Sequence, residues 1–425
     1  HIWDGDVDPL VVALECIAQG TSVALSSGTG TGKAQPIDEP VLTPQGWRSI
    51  GDLKPGDFAY GRNGKPTEVL AVYPQGVRPV YRLTFSDGAS TRACAEHLWV
   101  MQNKKDLNLG CPWRIMSTAD LVVMAPRTLE NRSLRVPSPQ PIELPEADLP
   151  LAPYLLGVLL GDGGFRGGFA VVSTADDEIL DAVRAELPSG VTVRHSSAYD
   201  YRLTGAQSGP LNANPLTAIL RDLGLWGHKS ETKFIPPVYL TASDTQRLAL
   251  LCGLLDTDGS VSTKGKHIEY CSTSNLLADG VVELVRSLGG TARCQQSASY
   301  LNGTRHLDRY RISVNMPEGI VPFRLERKAA IVREWGARSY GLPSRILRSV
   351  EPAGEAECVC IRVASDDSLY VTKDYIVTHN TFALGACGTL WFLATHEKSI
   401  ALSIAPQAAQ LLLNQWKEIG NLFMR

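Results

Sequence analysis

Residues 25–33 read Leu-Ser-Ser-Gly-Thr-Gly-Thr-Gly-Lys, and residues 376–381 read Ile-Val-Thr-His-Asn-Thr. The first stretch comes after apolar Val23-Ala24-Leu25, so it reads as a strand running into a phosphate-cradling loop. Such a loop continues with Ser or Thr and then a helix. Here Lys33 is followed instead by Ala34-Gln35-Pro36, where a helix starts poorly. Joining Lys33 to Thr381 restores Gly-Thr-Gly-Lys-Thr, and residues 382–395 then supply an Ala- and Leu-rich helical stretch. A Walker-type loop is thus cut between its Lys and its Thr by residues 34–380. At the far edge of the cut, the Asn380 amide can close an imide onto its own carbonyl and release the chain from Thr381 onward. His379 can protonate the departing amine, and the Thr381 hydroxyl can carry an acyl group.

The 425 residues are 44% apolar with a formal charge of −3, enough for more than one globular domain and no global case for nucleic-acid binding. No run of eighteen apolar residues and no basic, apolar leader is present, so a soluble, cytoplasmic protein with no membrane partner is expected. The nine cysteines are scattered without a Cys-x-x-Cys pair, which favours reduced thiols over zinc or disulfides. Charge is uneven: residues 286–333 hold nine basic side chains against three acidic ones, a candidate phosphate-facing surface.

Residues 34–135 alternate strand-like runs (69–73, 80–85, 98–101) with Asn63-Gly64, Pro74-Gln75-Gly76 and Asp87-Gly88 turns, which predicts an all-β domain. Residues 136–150, rich in Pro and Glu, read as a linker. Beyond it lie two similar units, opening with Leu155-Leu156-Gly157-Val158-Leu159-Leu160-Gly161-Asp162-Gly163 and Leu251-Cys252-Gly253-Leu254-Leu255-Asp256-Thr257-Asp258-Gly259. Gly157 and Gly161 share one helix face, as do Gly253 and Thr257, which permits close helix approach. Asp162 and Asp258 would then meet at the base of the pair, where two carboxylates can hold magnesium against a phosphodiester. Strand-like runs resume over 346–380.

Residues 34–380 resemble an intein, a self-splicing insert, carrying a LAGLIDADG homing endonuclease. The resemblance rests on residues 38–47 (Asp-Glu-Pro-Val-Leu-Thr-Pro-Gln-Gly-Trp), 50–57 (Ile-Gly-Asp-Leu-Lys-Pro-Gly-Asp), 375–380 and the two Asp-Gly-ended helices. It implies an all-β splicing domain of the Hedgehog/intein-like type over 34–135 and 346–380. An α+β endonuclease of two pseudo-symmetric repeats, 151–345, interrupts it, and α/β P-loop host fragments, 1–33 and 381–425, flank it. The endonuclease would use Asp162 and Asp258 with magnesium. Its partner would be double-stranded DNA at the uninterrupted host-gene site, with strands over the major groove. Lys229 and Lys233 match a further endonuclease segment, either as phosphate contacts or as charge support near the metal. The rejoined host resembles the ATPase region of a phage large terminase, in a phage-infected or prophage-bearing cell. Helicase-like ATPases share its loop. Gly30, Gly32, Lys33 and Thr381 would bind ATP and magnesium there.

Inteins ordinarily begin with Cys or Ser, whereas this insert begins with Ala34, either engineered or native. Trp99, Cys360 and Thr378 resemble the set that marks class 3 inteins, which lack a first-residue nucleophile. The resemblance implies that Cys360 attacks the Lys33 carbonyl, with His97 assisting departure of the Ala34 amine. Thr381 then takes over the acyl group, and Asn380 cyclises with help from His379. No cofactor is required for splicing, and a monomer suffices. Cys94 stands where the family often has Thr, and Ser368 lies where it usually has a late histidine. The rival readings are a splicing-defective precursor acting only as a DNA endonuclease, and a catalytically silent insert in a P-loop ATPase.

Overall fold

A computed structural model of the chain describes residues 33–130, 134–165, 167–205, 214–298, 300–301, 304–305, 307–335 and 343–379. Most of both P-loop flanks, with Gly30, Gly32, Asn380 and Thr381, lies outside the described residues.

The first unit is built on two twenty-residue strands, Pro66–Phe85 and Ser344–Val363, paired antiparallel from Phe85↔Leu347 to Val69↔Val363. Their pairing joins chain from either side of the long central segment. Register shifts along both strands let them bend, as bulges do. Strand Gln35–Pro36 lies against Val359 and Cys358, and strand Ser90–Cys94 against Val80–Thr84. Strand Ile376–His379 pairs with Leu369–Thr372. Trp99, Leu83, Phe85 and Ile376 share one apolar core.

Two expectations for this region need correction. Helices Lys104–Asn108 and Thr118–Glu130 interrupt the stretch that the sequence predicts as all-β. Ser117 and Asp120 cap the second reciprocally: the Ser117 N–H donates to Asp120 Oδ2 (2.8 Å) and the Asp120 N–H to Ser117 Oγ (3.1 Å). The predicted linker is a packed strap. Arg135–Pro137 pairs with Ser344–Ile346, and Ile142 is fully buried with its N–H on the Ser287 carbonyl.

The second unit repeats one topology twice. Helix Pro153–Asp162 leads into a four-stranded sheet ordered 163–164, 170–173, 200–205, 191–197. Helix Asp244–Asp258 leads into one ordered 259–262, 267–272, 309–315, 291–297. The first helix is buried on nearly every face, as a helix between layers must be. The second starts at a capping box in which Ser243 and Gln246 bond each other's backbone. The two helices cross where glycine is obligatory. A Cβ on Gly157 would lie 2.4 Å from the Leu250 carbonyl oxygen, and one on Gly253 2.3 Å from that of Tyr154. Gly163 and Gly259 are fixed by the same lack of space: a Cβ there would lie 2.2 and 2.4 Å from the carbonyl oxygens of Leu159 and Leu255.

Candidate functional site

The Lys33–Ala34 peptide, which the sequence reading expects to be the upstream junction, is held from several sides. The Cys94 N–H donates to the Ala34 carbonyl (2.9 Å), and the Ala34 N–H donates to Cys94 Sγ (3.2 Å). Gln35, fully buried, is fixed by the Tyr370 hydroxyl (2.7 Å) and by Thr91 Oγ1 (3.1 Å). Continuing the register of Gln35↔Val359 by one residue sets Ala34 against Cys360. Cys360 is buried, and its thiol donates to the Ile361 carbonyl at 3.6 Å. Burial lowers the Lys33 ammonium pKa and the charge of a Cys360 thiolate would oppose that shift, so these side chains lie within electrostatic reach.

His97 closes the other side. Its Nε2 lies 2.5 Å from Thr378 Oγ1, and its ring meets Trp99 edge-on at 5.0 Å. Trp99 is fully buried and donates its indole N–H to Thr118 Oγ1 at 3.0 Å. Burial pulls the His97 pKa down to about 3, helped by His379, while a hydrogen-bonding influence of the Lys33 backbone opposes it. Only an acceptor favours the imidazolium, so that influence comes from the Lys33 carbonyl. Nδ1 makes no well-formed hydrogen bond. Lys33, Ala34, Trp99, Cys360, Thr378, His97 and His379 therefore converge, and the chemistry of Asn380 and Thr381 lies outside the described residues.

Cys94, whose role the sequence left open, sits on the nitrogen side of the junction. Burial pushes its thiol up to about 12, which keeps it protonated. A sulfur accepting the amide N–H lies near the peptide plane, whereas attack on a carbonyl carbon comes from above that plane. Its place is that of a holder of the amide.

The second candidate centre is Asp162 with Asp258. Burial raises the Asp258 pKa to about 6, and the Asp162 charge adds to the shift. Burial also raises that of Asp162, against the pull of Lys233 and Lys328. Lys233 Nζ donates to the carbonyls of Leu159, Leu160, Gly161 and Gly163 (2.7–3.1 Å), closing the first helix. Lys328 does the same for the second through Leu255, Asp256 and Gly259 (2.7–2.9 Å). A cation on these outward carbonyls also complements each helix dipole. Lys233 thus lies beside the two carboxylates with its donors committed to carbonyls. Lys229 is not in the centre; it is exposed, 3.9 Å from Glu231. Lys328 was missed by the sequence reading, although a spacing signal existed. Lys233 comes 70 residues after Gly163, and Lys328 comes 69 after Gly259.

The basic stretch 286–333 divides between buried, ion-paired and exposed side chains. Arg286 is buried in ion pairs with Asp374 and Asp87, and Arg324, Arg327 and Arg333 pair with Glu186, Asp176 and Glu326. Arg293, Arg305, Arg309 and Arg311 are exposed on the second repeat's strands, Arg305 beside Asp308 and Arg311 beside Glu269.

Residues 245–316 match the family described as LAGLIDADG-like domain. Among curated proteins, the chain is 32% identical to the replicative DNA helicase DnaB of Mycobacterium intracellulare over 84% of this chain and 60% of that protein. It is 28% identical to that of Rhodothermus marinus over 72% and 31%. An iron–sulfur cluster assembly SufBD family protein of Mycobacterium leprae shares 23% over 63% of this chain and 33% of its own length. The chain thus spans about 60% or less of these relatives. The flanks are too short to supply such coverage, so the likeness runs through the insert. The named relatives are helicases and an assembly protein rather than terminases, which leaves the terminase expectation unsupported.

Among solved structures, the MchDnaB-1 intein (N145AA) is 12% identical, covering 82% of this chain and all of its own, with a TM-score of 0.26. I-DmoI in complex with DNA and Ca is 13% identical, covering 44% and 97%, with a TM-score of 0.30. The first is described as an intein, and I-DmoI is described elsewhere among these structures as a homing endonuclease. At such scores the weight stays on the family match and on the chain's own geometry. No helix among the described residues is long and apolar enough to cross a membrane.

Proposed function

We propose that residues 34–380 excise themselves and join Lys33 to Thr381. The observation that carries this reading is the bracketing of Lys33–Ala34 by Cys360, Cys94 and His97. In the first step Cys360 Sγ forms a bond to the Lys33 carbonyl carbon, the Lys33–Ala34 C–N bond breaks, and the thiol proton ends on the Ala34 amine. A neutral His97 carrying its proton on Nδ1 would polarise the Lys33 carbonyl, while the Thr378 hydroxyl donates to Nε2 and fixes that tautomer. Thr381 next accepts the acyl group, and Asn380 closes its imide and severs the 380–381 bond. The Lys33 ester on Thr381 then rearranges to an amide. This scheme requires no first-residue nucleophile, so Ala34 is compatible with a native sequence. The joined host would be a P-loop ATPase.

Residues 151–345 would cleave double-stranded DNA at the uninterrupted host site. The support is the pair Asp162 and Asp258, whose mutual repulsion marks a place for a cation. Hard carboxylate oxygens fit magnesium, and its remaining ligands would be water and phosphate oxygens. Bound there, magnesium would activate the attacking water and neutralise phosphate charge. The chain's own contribution is the pair of carboxylates, brought together by glycines and steadied by Lys233 and Lys328.

Mass measurement of the freshly made chain tests the splicing reading. Splicing yields an excised 34–380 and a joined host. A single intact chain would refute it and favour an endonuclease-only precursor.

A further inference from the structure

Just before the strand that carries Thr378 and His379, the backbone does something costly. Asp374 lies at φ 58°, ψ 23°, and Tyr375 at φ 58°, so two successive side-chain-bearing residues occupy the left-handed region. For a bulky tyrosine this is a genuine outlier, and it persists only if its surroundings impose it.

The surroundings are identifiable, and half of them come from the other unit. Helix Asn275–Ser287, which packs on the second repeat's sheet, presents Glu283 and Arg286 to this turn. The buried Tyr375 hydroxyl donates to Glu283 Oε1 at 2.7 Å, and the Trp47 indole N–H reaches the same oxygen at 3.4 Å. The Trp47 ring meets that of Tyr375 edge-on at 5.1 Å. Arg286 Nη1 donates to Asp374 Oδ1 at 2.9 Å, and the Ser90 N–H donates to the other carboxylate oxygen at 3.0 Å. Arg345 links Asp87 (2.9 Å) to the Tyr375 carbonyl (2.5 Å), and Asp87 in turn faces Arg286 at 3.6 Å. Ring, hydroxyl, carboxylate and carbonyl of the turn are all held.

We propose that helix Asn275–Ser287 of the endonuclease unit is a working part of the splicing unit. Glu283 and Arg286 are positioning residues that hold Asp374–Tyr375 left-handed, and so set strand Ile376–His379 and the downstream junction it leads into. This inference rests on the splicing reading above. Neither residue touches the reacting atoms. Their effect falls first on release of 381–425, because the turn leads straight into that junction, and reaches the upstream one only through the Thr378–His97 bond.

The full chain is made unaltered and as Glu283→Ala/Arg286→Ala, and two rates are tracked by mass: branched thioester formation and release of 381–425. The double variant is expected to slow release about tenfold, the cost of an unbraced left-handed turn, and to slow thioester formation by clearly less, since the strand reaches the upstream junction only through Thr378 and His97. Glu283→Gln, which still accepts from the hydroxyl, should release nearly as fast as the unaltered chain. Asp374→Gly added to the double variant should recover much of the lost rate, since glycine takes a positive φ without strain. Undiminished release in the double variant, equal slowing of both steps, or no recovery with glycine would each overturn the brace alone. An unaltered chain that never splices would overturn the splicing reading and the brace with it.

Discussion

His97 and Thr378 lie 281 residues apart in sequence and share a 2.5 Å hydrogen bond between Nε2 and Oγ1. The bond is buried, and it ties the strand ahead of the downstream junction to the histidine facing the upstream one. Removing the hydroxyl would leave Nε2 without its partner. Thr378→Val should therefore slow formation of the branched thioester about tenfold or more, while Thr378→Ser restores it. Time-resolved mass analysis of the precursor reads both, and undiminished thioester formation in the valine variant would remove Thr378 from the mechanism.

The two sulfurs at the junction should separate cleanly. Cys360→Ala is expected to abolish branched species and ligation. Cys94→Ala should only slow them, because Cys94 holds the amide nitrogen. Ligation at the usual rate in the Cys360 variant would sink the assignment, and so would complete loss confined to the Cys94 variant.

Acid should loosen the splicing unit through His97. Its folded pKa of about 3 lies below the ordinary 6.5, so the unfolded chain binds the extra proton between those values. The stabilisation is present above pH 6.5 and is lost as pH falls towards 3. Denaturant melts between pH 6.5 and about 5, above most carboxylate titrations, should show this slope in the unaltered chain and a flatter one in His97→Gln. Parallel slopes would mean that the ring is hydrated and titrates normally.

Asp258 predicts the opposite sign. Its folded pKa of about 6 exceeds the ordinary 3.8, so stability is full below 3.8 and falls as pH rises through 6. Asp258→Asn should then melt higher at pH 7.5 by about 2–4 °C, a figure kept small because the side chain itself reaches solvent despite its dense surroundings. Magnesium should raise the melting temperature of the unaltered chain and not of Asp162→Asn/Asp258→Asn. Plasmid cutting at the rejoined junction should vanish in either single variant. Cutting that survives both, or equal magnesium stabilisation of the double variant, would refute the paired-carboxylate centre.

Much of this architecture was readable because its signals are local. A Walker-type loop stops at Lys33, and two apolar helices end in Asp-Gly with small residues four apart. The features that escaped depend on neighbours remote in sequence. Arg286 reads as a surface charge until Asp374 and Asp87, 88 and 199 residues away, are seen to bury it. Lys328 shares no flanking sequence with Lys233, yet both caps are the same device. Helix Thr118–Glu130 contains Val122-Val123 and Pro126, residue types that argue locally for a strand or a break. Its Ser117–Asp120 cap was a local signal that the sequence reading passed over.

The helix crossing also bears on how the two repeats can change. Gly157 is closed in by Leu250 and Gly253, and Gly253 by Tyr154 and Gly157, so each helix offers its counterpart the same patch it receives. That reciprocity is the contact a two-fold dimer makes. Carried within one polypeptide, it frees the halves from having to match. A substitution in one sheet need not be mirrored in the other, and each can diverge alone so long as the glycines stay.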